Sequence, residues 1–149
     1  VPVLKYCDYI ILNEIESCAV WGLDPRTEDD KPNVENIRRT MEMMGEQGVK
    51  EKVIVHSKEA GWCLDCTTGD FIEVASLNIP GEEIKGSVGA GDAYCAGCLY
   101  GIYKGWQDRR ILEFASAAAA CNLFAENSTD GMRSADEIEL LPQKYGRKK

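Results

Sequence analysis

The sequence predicts an α/β domain in which a largely parallel central sheet is flanked by helices. The first observation is a pair of short apolar runs, residues 7–12 and 52–56, whose β-branched and aromatic residues are typical of buried parallel strands. The second is a set of longer segments that lie between and after these runs and carry apolar residues at helical spacing. Strands that alternate with helices indicate a layered α/β architecture, so we expect one such domain over residues 1–149.

In the first half, the strand at residues 7–12 is followed by a predicted helix over residues 14–21. Asn33 is placed to cap a second helix, which ends near the glycines of residues 45–48. After the strand at residues 52–56, a hairpin is predicted from residues 61–74, with its turn around a Thr-Thr-Gly-Asp sequence.

The second half of the chain is predicted to be helical. Small and apolar residues dominate residues 90–103 and 109–124, and neither segment alternates as a strand would. Ser134 begins a capping-box pattern, which predicts a last helix that ends near Leu141. The basic segment 144–149 is expected to fray.

Composition and charge exclude several function classes. The 149 residues carry 25 acidic and 17 basic side chains, a formal net charge of -8 that would repel a nucleic-acid backbone. No window approaches the roughly 20 apolar residues that span a bilayer, and the opening residues do not have the pattern of a signal peptide. We therefore expect no nucleic-acid or membrane partner, and a cytoplasmic chain or a piece of one.

Seven cysteines, an odd number without other signs of secretion, favour reduced thiols over disulfides. Cys63 with Cys66, and Cys95 with Cys98, have the spacing of zinc half-sites, but all four sulfurs would have to converge. The first pair lies in a predicted strand and the second in a predicted helix, whereas zinc knuckles place their thiols in turns. We favour buried thiols that pack as small hydrophobic groups, with a zinc-stapled interaction module as an alternative.

A glycine-rich turn at residues 86–93 leads directly into the helix predicted from residue 90. Such a turn presents backbone N–H groups and the positive end of the helix to an anion, and its glycines allow close approach. Asp92 beside that turn has two interpretations: it caps the helix, or it acts as a general base beside a bound phosphate. The second arrangement is what phosphorylation of a hydroxyl group requires, and spacing alone leaves both open.

Two other phosphate-binding motifs do not match. A Walker A loop has its lysine after the last glycine, whereas Lys85 precedes Gly86. A dinucleotide fingerprint needs a third glycine, whereas residues 89–94 end in a tyrosine.

Residues 88–97, a GAGD turn followed by a helix of small residues, resemble the second signature of the ribokinase-like, pfkB-type carbohydrate kinases. Residues 13–16 resemble the NxxE motif of that family, and residues 53–61 resemble its strand and glycine turn near the nucleotide. The alanine-rich residues 115–121 resemble the helix that borders its adenine pocket. These elements occur in the family's order along nearly the whole chain.

The resemblance implies ATP and Mg²⁺ as cofactors, and a monovalent cation near the GAGD turn. It makes Asp92 the general base, and it makes the amides of Gly89, Ala90 and Gly91 an anion hole for the transferred phosphoryl group. It also implies that Asn13 and Glu16 hold Mg²⁺ through water, a role that suits oxygen donors. The residues that it places at the nucleotide are Asn13, Lys58, Gly61, Ser87 and Ser116.

Two positions depart from the family pattern. The family usually has an Asp-Thr pair where this chain has Gly86 and Ser87, and it often has a glycine where this chain has Lys58. Lys58 is either a charge that approaches a phosphate or a solvated turn residue, and we favour the second. His56, the one histidine, lies in a predicted strand and is interpreted as structural, which argues against a hydrolase triad.

The function implied is ATP-dependent phosphorylation of a hydroxyl of a sugar or related polyol. Members of the family are much longer than this chain, so we expect a domain that is incomplete relative to the family and corresponds to its C-terminal half. The oligomeric state stays open, with a homodimer of the full-length protein as one alternative. The alternative is a non-catalytic α/β domain that binds a nucleotide or a partner.

Overall fold

The computed structural model describes residues 2–149, and the chain divides into two compact units, Val1–Glu73 and Val74–Lys149. One domain over residues 1–149 stays a prediction. None of the helices in the described part of the chain is both long and apolar enough to cross a bilayer. The elements of the first unit are β1 (Tyr9–Asn13), α1 (Glu14–Ala19), α2 (Val34–Glu46), β2 (Lys52–His56), β3 (Ala60–Asp65) and β4 (Phe71–Ala75), whose last two residues begin the second unit.

The sheet has the strand order β1-β2-β3-β4 and is mixed. Strands β1 and β2 are parallel, whereas β2 and β3 are antiparallel. The α/β class is confirmed, but the sheet is less parallel than expected. A parallel pair needs a crossover of a dozen or more residues, and the short segment 57–59 between β2 and β3 permits only an antiparallel pair.

The core of the first unit lies between helix α2 and the sheet. Ile37, Met41 and Met44 recur at helical spacing and are almost fully buried, as the sequence predicts. The N-terminus of α2 is capped as expected, since the Asn33 side chain accepts a hydrogen bond from the Asn36 amide at 3.2 Å. The buried residues of this core are Leu4, Cys18, Ile37, Met41, Met44, Val49, Val53, Val55, Ala60, Trp62 and Leu64.

The second unit is built on three helices, α3 (Ala90–Tyr103), α4 (Asp108–Asn122) and α5 (Ala135–Tyr145). Helices α3 and α4 approach closely because a glycine faces small residues: a Cβ on Gly97 would lie 2.7 Å from the Cα of Ala115. The core of this unit comprises Leu77, Ile79, Phe114, Ala117, Ala118, Ala120, Cys121, Ile138 and Leu141.

The prediction that the basic end of the chain frays is wrong. Helix α5 continues to Tyr145, and the residues after it pair with residues 76–78: the Lys148 amide donates to the Ser76 carbonyl at 2.9 Å. The Arg147 guanidinium donates to the Ala75 carbonyl at 2.6 Å and to the Ser116 hydroxyl at 3.1 Å. Main-chain pairing and a half-buried arginine hold a segment that composition alone marks as solvated.

Candidate active site

The glycine-rich turn begins helix α3 with a residue that only glycine suits. Gly89 is the N-cap of α3 and has φ 80° and ψ 2°, the left-handed conformation. A Cβ at this position would also lie 2.6 Å from the Cβ of Ser128. Conformation and space therefore both require glycine here, and the turn can bring its backbone close to a ligand.

The amides of the turn are partly free. The Ala90 N–H donates to the Ser87 carbonyl at 3.2 Å, so one of the three amides predicted to form the anion hole is already engaged. Within residues 2–149, no turn or helix hydrogen bond uses the N–H groups of Gly89 and Gly91. These two amides, at the positive end of α3, are available to an anion.

Asp92 is the third residue of α3 and is exposed. The N-terminus of α3 has no side-chain capping hydrogen bond, so the Asp92 carboxylate does not cap the helix in the usual way. Burial raises the pKa of the neighbouring Cys95 thiol, and the negative charge of Asp92 adds to this effect. The carboxylate is thus placed beside the glycine turn with its oxygens open to solvent.

In the first unit, Asn13 and Glu16 lie together at the junction of β1 and α1. The Asn13 side chain accepts a hydrogen bond from the Glu16 amide at 2.8 Å, and the Glu16 carboxylate accepts one from the Asn13 amide at 3.0 Å. This is a capping box, which satisfies two amides at the helix start. The same two side chains therefore begin a helix and place oxygen atoms at the carboxyl end of a strand.

Gly61 shares a sheet row with Asn13. Asn13 in β1 pairs with His56 in β2, and His56 pairs with Gly61 in β3. Gly61 thus lies inside a strand and is buried, where the resemblance implies a glycine turn. Burial lowers the pKa of His56, an effect that the nearby Glu16 carboxylate opposes, so a neutral structural histidine is the consistent interpretation.

Lys58 is 69% exposed, in the turn between β2 and β3. Its ammonium nitrogen lies 3.7 Å from an Asp30 oxygen and 3.8 Å from a Glu59 oxygen. Its neighbours are carboxylates, and the favoured interpretation of a solvated turn residue agrees with this position.

Comparison with known proteins decides the family. The family model for pfkB carbohydrate kinases matches residues 2–135. The chain belongs to the pfkB family of carbohydrate kinases. A 5-dehydro-2-deoxygluconokinase of Geobacillus thermodenitrificans is 30% identical over 137 residues, which are 92% of this chain and 37% of that relative.

Solved structures of pfkB-type kinases have the same fold. A ribokinase of Thermotoga maritima superposes with a TM-score of 0.74 at 18% identity, over 95% of this chain and 44% of that one. A putative ribokinase II of E. coli in complex with ATP and Mg²⁺ superposes with a TM-score of 0.72 at 24% identity, over 96% of this chain and 41% of that one. The pfkB chain described here spans less than half the length of these relatives.

The departure at Gly86 has a packing explanation in this pfkB chain. A Cβ on Gly86 would lie 3.0 Å from the Ala125 carbonyl oxygen and 3.2 Å from the Cα of Glu126. The Lys85 amide donates to the Leu123 carbonyl at 2.8 Å, which holds the turn against the segment after α4. The aspartate usual in the family would not fit without a shift of backbone.

Ser116 is only 4% exposed, near the middle of α4. Its hydroxyl donates to the Glu113 carbonyl at 2.9 Å and accepts from Arg147 at 3.1 Å. Both interactions are within the protein, so a nucleotide contact through this hydroxyl needs Arg147 to move. Burial also lowers the pKa of Arg147.

Sequence reasoning missed two residues of the site regions. The Arg26 guanidinium donates to both carboxylate oxygens of Glu59, at 2.7 and 3.0 Å. One guanidinium nitrogen also lies 3.4 Å from a carboxylate oxygen of Glu14, the residue after Asn13. Burial raises the pKa of Glu14. Nothing in the charged loop around Arg26 marks it. Asn122, which is fully buried at the end of α4, had a signal: it is a polar residue directly after an apolar run.

The zinc alternative finds no support. Within the residues that the structure describes, no group of three or more His, Cys, Asp or Glu side chains is arranged to hold a metal ion. None of the seven cysteines forms a disulfide, and each of the four CxxC thiols is either buried or has a pKa raised by burial. Buried thiols that pack as small hydrophobic groups are the consistent interpretation.

Proposed function

We propose that this chain is the nucleotide-binding and catalytic C-terminal part of an ATP-dependent sugar kinase. The observation that carries the proposal is the start of helix α3, where the free amides of Gly89 and Gly91 and the exposed carboxylate of Asp92 occur within one helical turn. Membership of the pfkB family supports it, as does the similarity to a 5-dehydro-2-deoxygluconokinase.

In the proposed reaction, Asp92 accepts the proton of the acceptor hydroxyl while the hydroxyl oxygen attacks the γ-phosphorus of ATP. The γ-phosphoryl group passes to the acceptor and ADP leaves. The Gly89 and Gly91 amides, aided by the dipole of α3, stabilise the negative charge on the oxygens of the transferred group. A general base and an anion site beside each other are what this reaction needs.

Asn13 and Glu16 are the residues that would hold Mg²⁺, and their donor atoms fit that ion. Amide and carboxylate oxygens suit a hard cation that keeps much of its hydration shell. One oxygen of each side chain is engaged in the capping box, which leaves the second Glu16 oxygen for a Mg²⁺-bound water. Mg²⁺ would supply charge neutralisation at the ATP phosphates.

We further propose a keto-deoxy sugar acid of the 5-dehydro-2-deoxygluconate class as the acceptor, by analogy with a relative that matches 92% of this chain. The test is ADP formation by the complete protein with MgATP and a panel of this acid, 2-dehydro-3-deoxygluconate, ribose and fructose. Turnover with the first acid, above the others, is the expected result. ATP binding without ADP formation on any acceptor would instead favour the non-catalytic alternative.

Three finer parts of this function stay predictions from the resemblance: a monovalent cation near the glycine turn, a homodimer of the complete protein and a cytoplasmic location. Potassium dependence of turnover and the mass of the complete protein in solution test the first two.

Asn13→Ala in the complete protein is expected to weaken MgATP binding about tenfold, because a hydrogen bond to a charged group contributes about 1.5 kcal/mol. Loss of the cap should also lower the free energy of unfolding by about 1 kcal/mol. Calorimetric titration with ATP, with and without Mg²⁺, measures the affinity.

Asn33→Ala is the matched control for Asn13→Ala. Asn33 caps α2 through its side chain as Asn13 caps α1, so its replacement should cost a similar stability and leave MgATP affinity unchanged. If the two variants bind MgATP with equal affinity, Asn13 is not part of the nucleotide site.

A further inference from the structure

Asn122 is a fully buried polar residue in contact with the glycine turn. Its Nδ2 donates a hydrogen bond to the Val88 carbonyl at 2.5 Å. The same nitrogen would lie 3.3 Å from a Cβ on Gly89. No donor among residues 2–149 reaches the buried Oδ1 of Asn122. The side chain thus makes one hydrogen bond, and that bond is to the turn.

Local stability does not account for an asparagine at this position. A buried acceptor without a partner costs about 1–3 kcal/mol, whereas a neutral hydrogen bond contributes about 1 kcal/mol net. The bond to Val88 therefore does no more than offset the unpaired Oδ1. Cys121, Ala118 and Ala117 fill the preceding buried positions of α4, where only packing is needed. A polar residue at the end of this run requires another reason.

The reason lies in the geometry of one peptide group. The Val88 carbonyl and the Gly89 N–H belong to the same peptide bond, and the described residues contain no cis peptide. In a planar trans peptide the carbonyl and the N–H point in opposite directions. When Asn122 holds the Val88 carbonyl on its own side, the Gly89 N–H is turned to the opposite side of the peptide.

That N–H is one of the two free amides at the start of α3. Gly89, with its left-handed backbone, has the conformational freedom that would let this peptide rotate in the absence of a restraint. Asn122 supplies the restraint from the far side of the turn, and it is too buried to contact a ligand itself.

We infer that Asn122 is a positioning residue, which orients the Gly89 amide toward the transferred phosphoryl group by holding the Val88 carbonyl. The inference rests on the proposed function for its purpose, but the orientation of the peptide can be measured independently of activity.

The test replaces Asn122 in the complete protein by Leu, which fills the space, and by Ala, which leaves it open. Both changes remove the donor, so kcat should fall about 100-fold in both, while KM for ATP and acceptor stays near the wild-type value. Hydrogen exchange of residues 87–92 should become faster in both variants. Cys121→Ala, which truncates the neighbouring core residue, should lower stability with unchanged kcat and unchanged exchange in the turn.

A wild-type kcat in either folded Asn122 variant would overturn the inference, as would unchanged exchange in residues 87–92. A fall in kcat that follows the melting temperature across all three variants would also overturn it, because a structural role alone would produce that pattern. Failure of the proposed function looks different: the wild-type protein and Asp92→Asn would both lack turnover. In that case, hydrogen exchange of residues 87–92 would still show whether Asn122 holds the glycine turn in place.

Discussion

Asp92→Asn in the complete protein should lower kcat about 1,000-fold, the usual scale for loss of a general base. Asparagine has the size of aspartate and can donate and accept hydrogen bonds, but it cannot take the acceptor proton at neutral pH. The Asp92 carboxylate is exposed and makes no capping hydrogen bond, so the melting temperature and MgATP affinity should change little. Steady-state kinetics and calorimetry measure these quantities.

Asp136→Asn is a matched control, since Asp136 is an exposed acidic residue in the first turn of α5. Both changes remove a favourable charge from the start of a helix, so their effects on stability should be similar and small. Only Asp92→Asn should affect turnover. If kcat of Asp92→Asn stays within a few-fold of wild type, Asp92 is not the base and the reaction proposed here is wrong.

Gly97→Val should lower the free energy of unfolding by about 3 kcal/mol, the upper part of the usual range for overpacking. A Cβ on Gly97 would lie 2.7 Å from the Cα of Ala115 and 3.3 Å from the Cβ of Ala118. The first of these atoms is backbone, so helices α3 and α4 would have to separate. Urea unfolding of wild type and variant measures the loss.

Ala96→Val controls for the β-branched side chain alone. Ala96 precedes Gly97 on the same helix but is exposed, so valine there should cost only about 0.5 kcal/mol of helix propensity. If both variants lose the same free energy of unfolding, helices α3 and α4 can separate at little cost in stability. Because α3 carries Asp92, Gly97→Val should also reduce turnover, whereas Ala96→Val should not.

Local patterns were predictable where the physics is local. The strand at residues 52–56 and the helix at residues 90–103 have the predicted bounds. The capping side chains of Asn33 and Ser134 act within a single turn, and the structure confirms both. The glycine turn was recognisable for the same reason, since the left-handed conformation at Gly89 is a property of a few adjacent residues.

Contacts between residues that are far apart in the sequence could not be predicted from the linear pattern. Ser116 was predicted at the nucleotide from its position in an alanine-rich helix, but its hydroxyl is buried against Arg147, which is 31 residues away. Composition marked the C-terminal segment as solvated, whereas main-chain pairing with residues 76–78 holds it. In each case the group forms a hydrogen bond within the protein, and its partner cannot be recognised from the sequence pattern.

The sequence by itself determined the class of the fold, the order of its elements and the motifs that identify the family, because hydrophobic periodicity, caps and turns are short-range properties. Only the tertiary structure decided that β3 runs antiparallel to β2, that a Cβ on Gly86 would crowd the backbone of residues 125–126, and that Asn122 bonds to the peptide before Gly89. These features depend on which atoms approach each other across the fold, and such contacts exist only after the chain has packed.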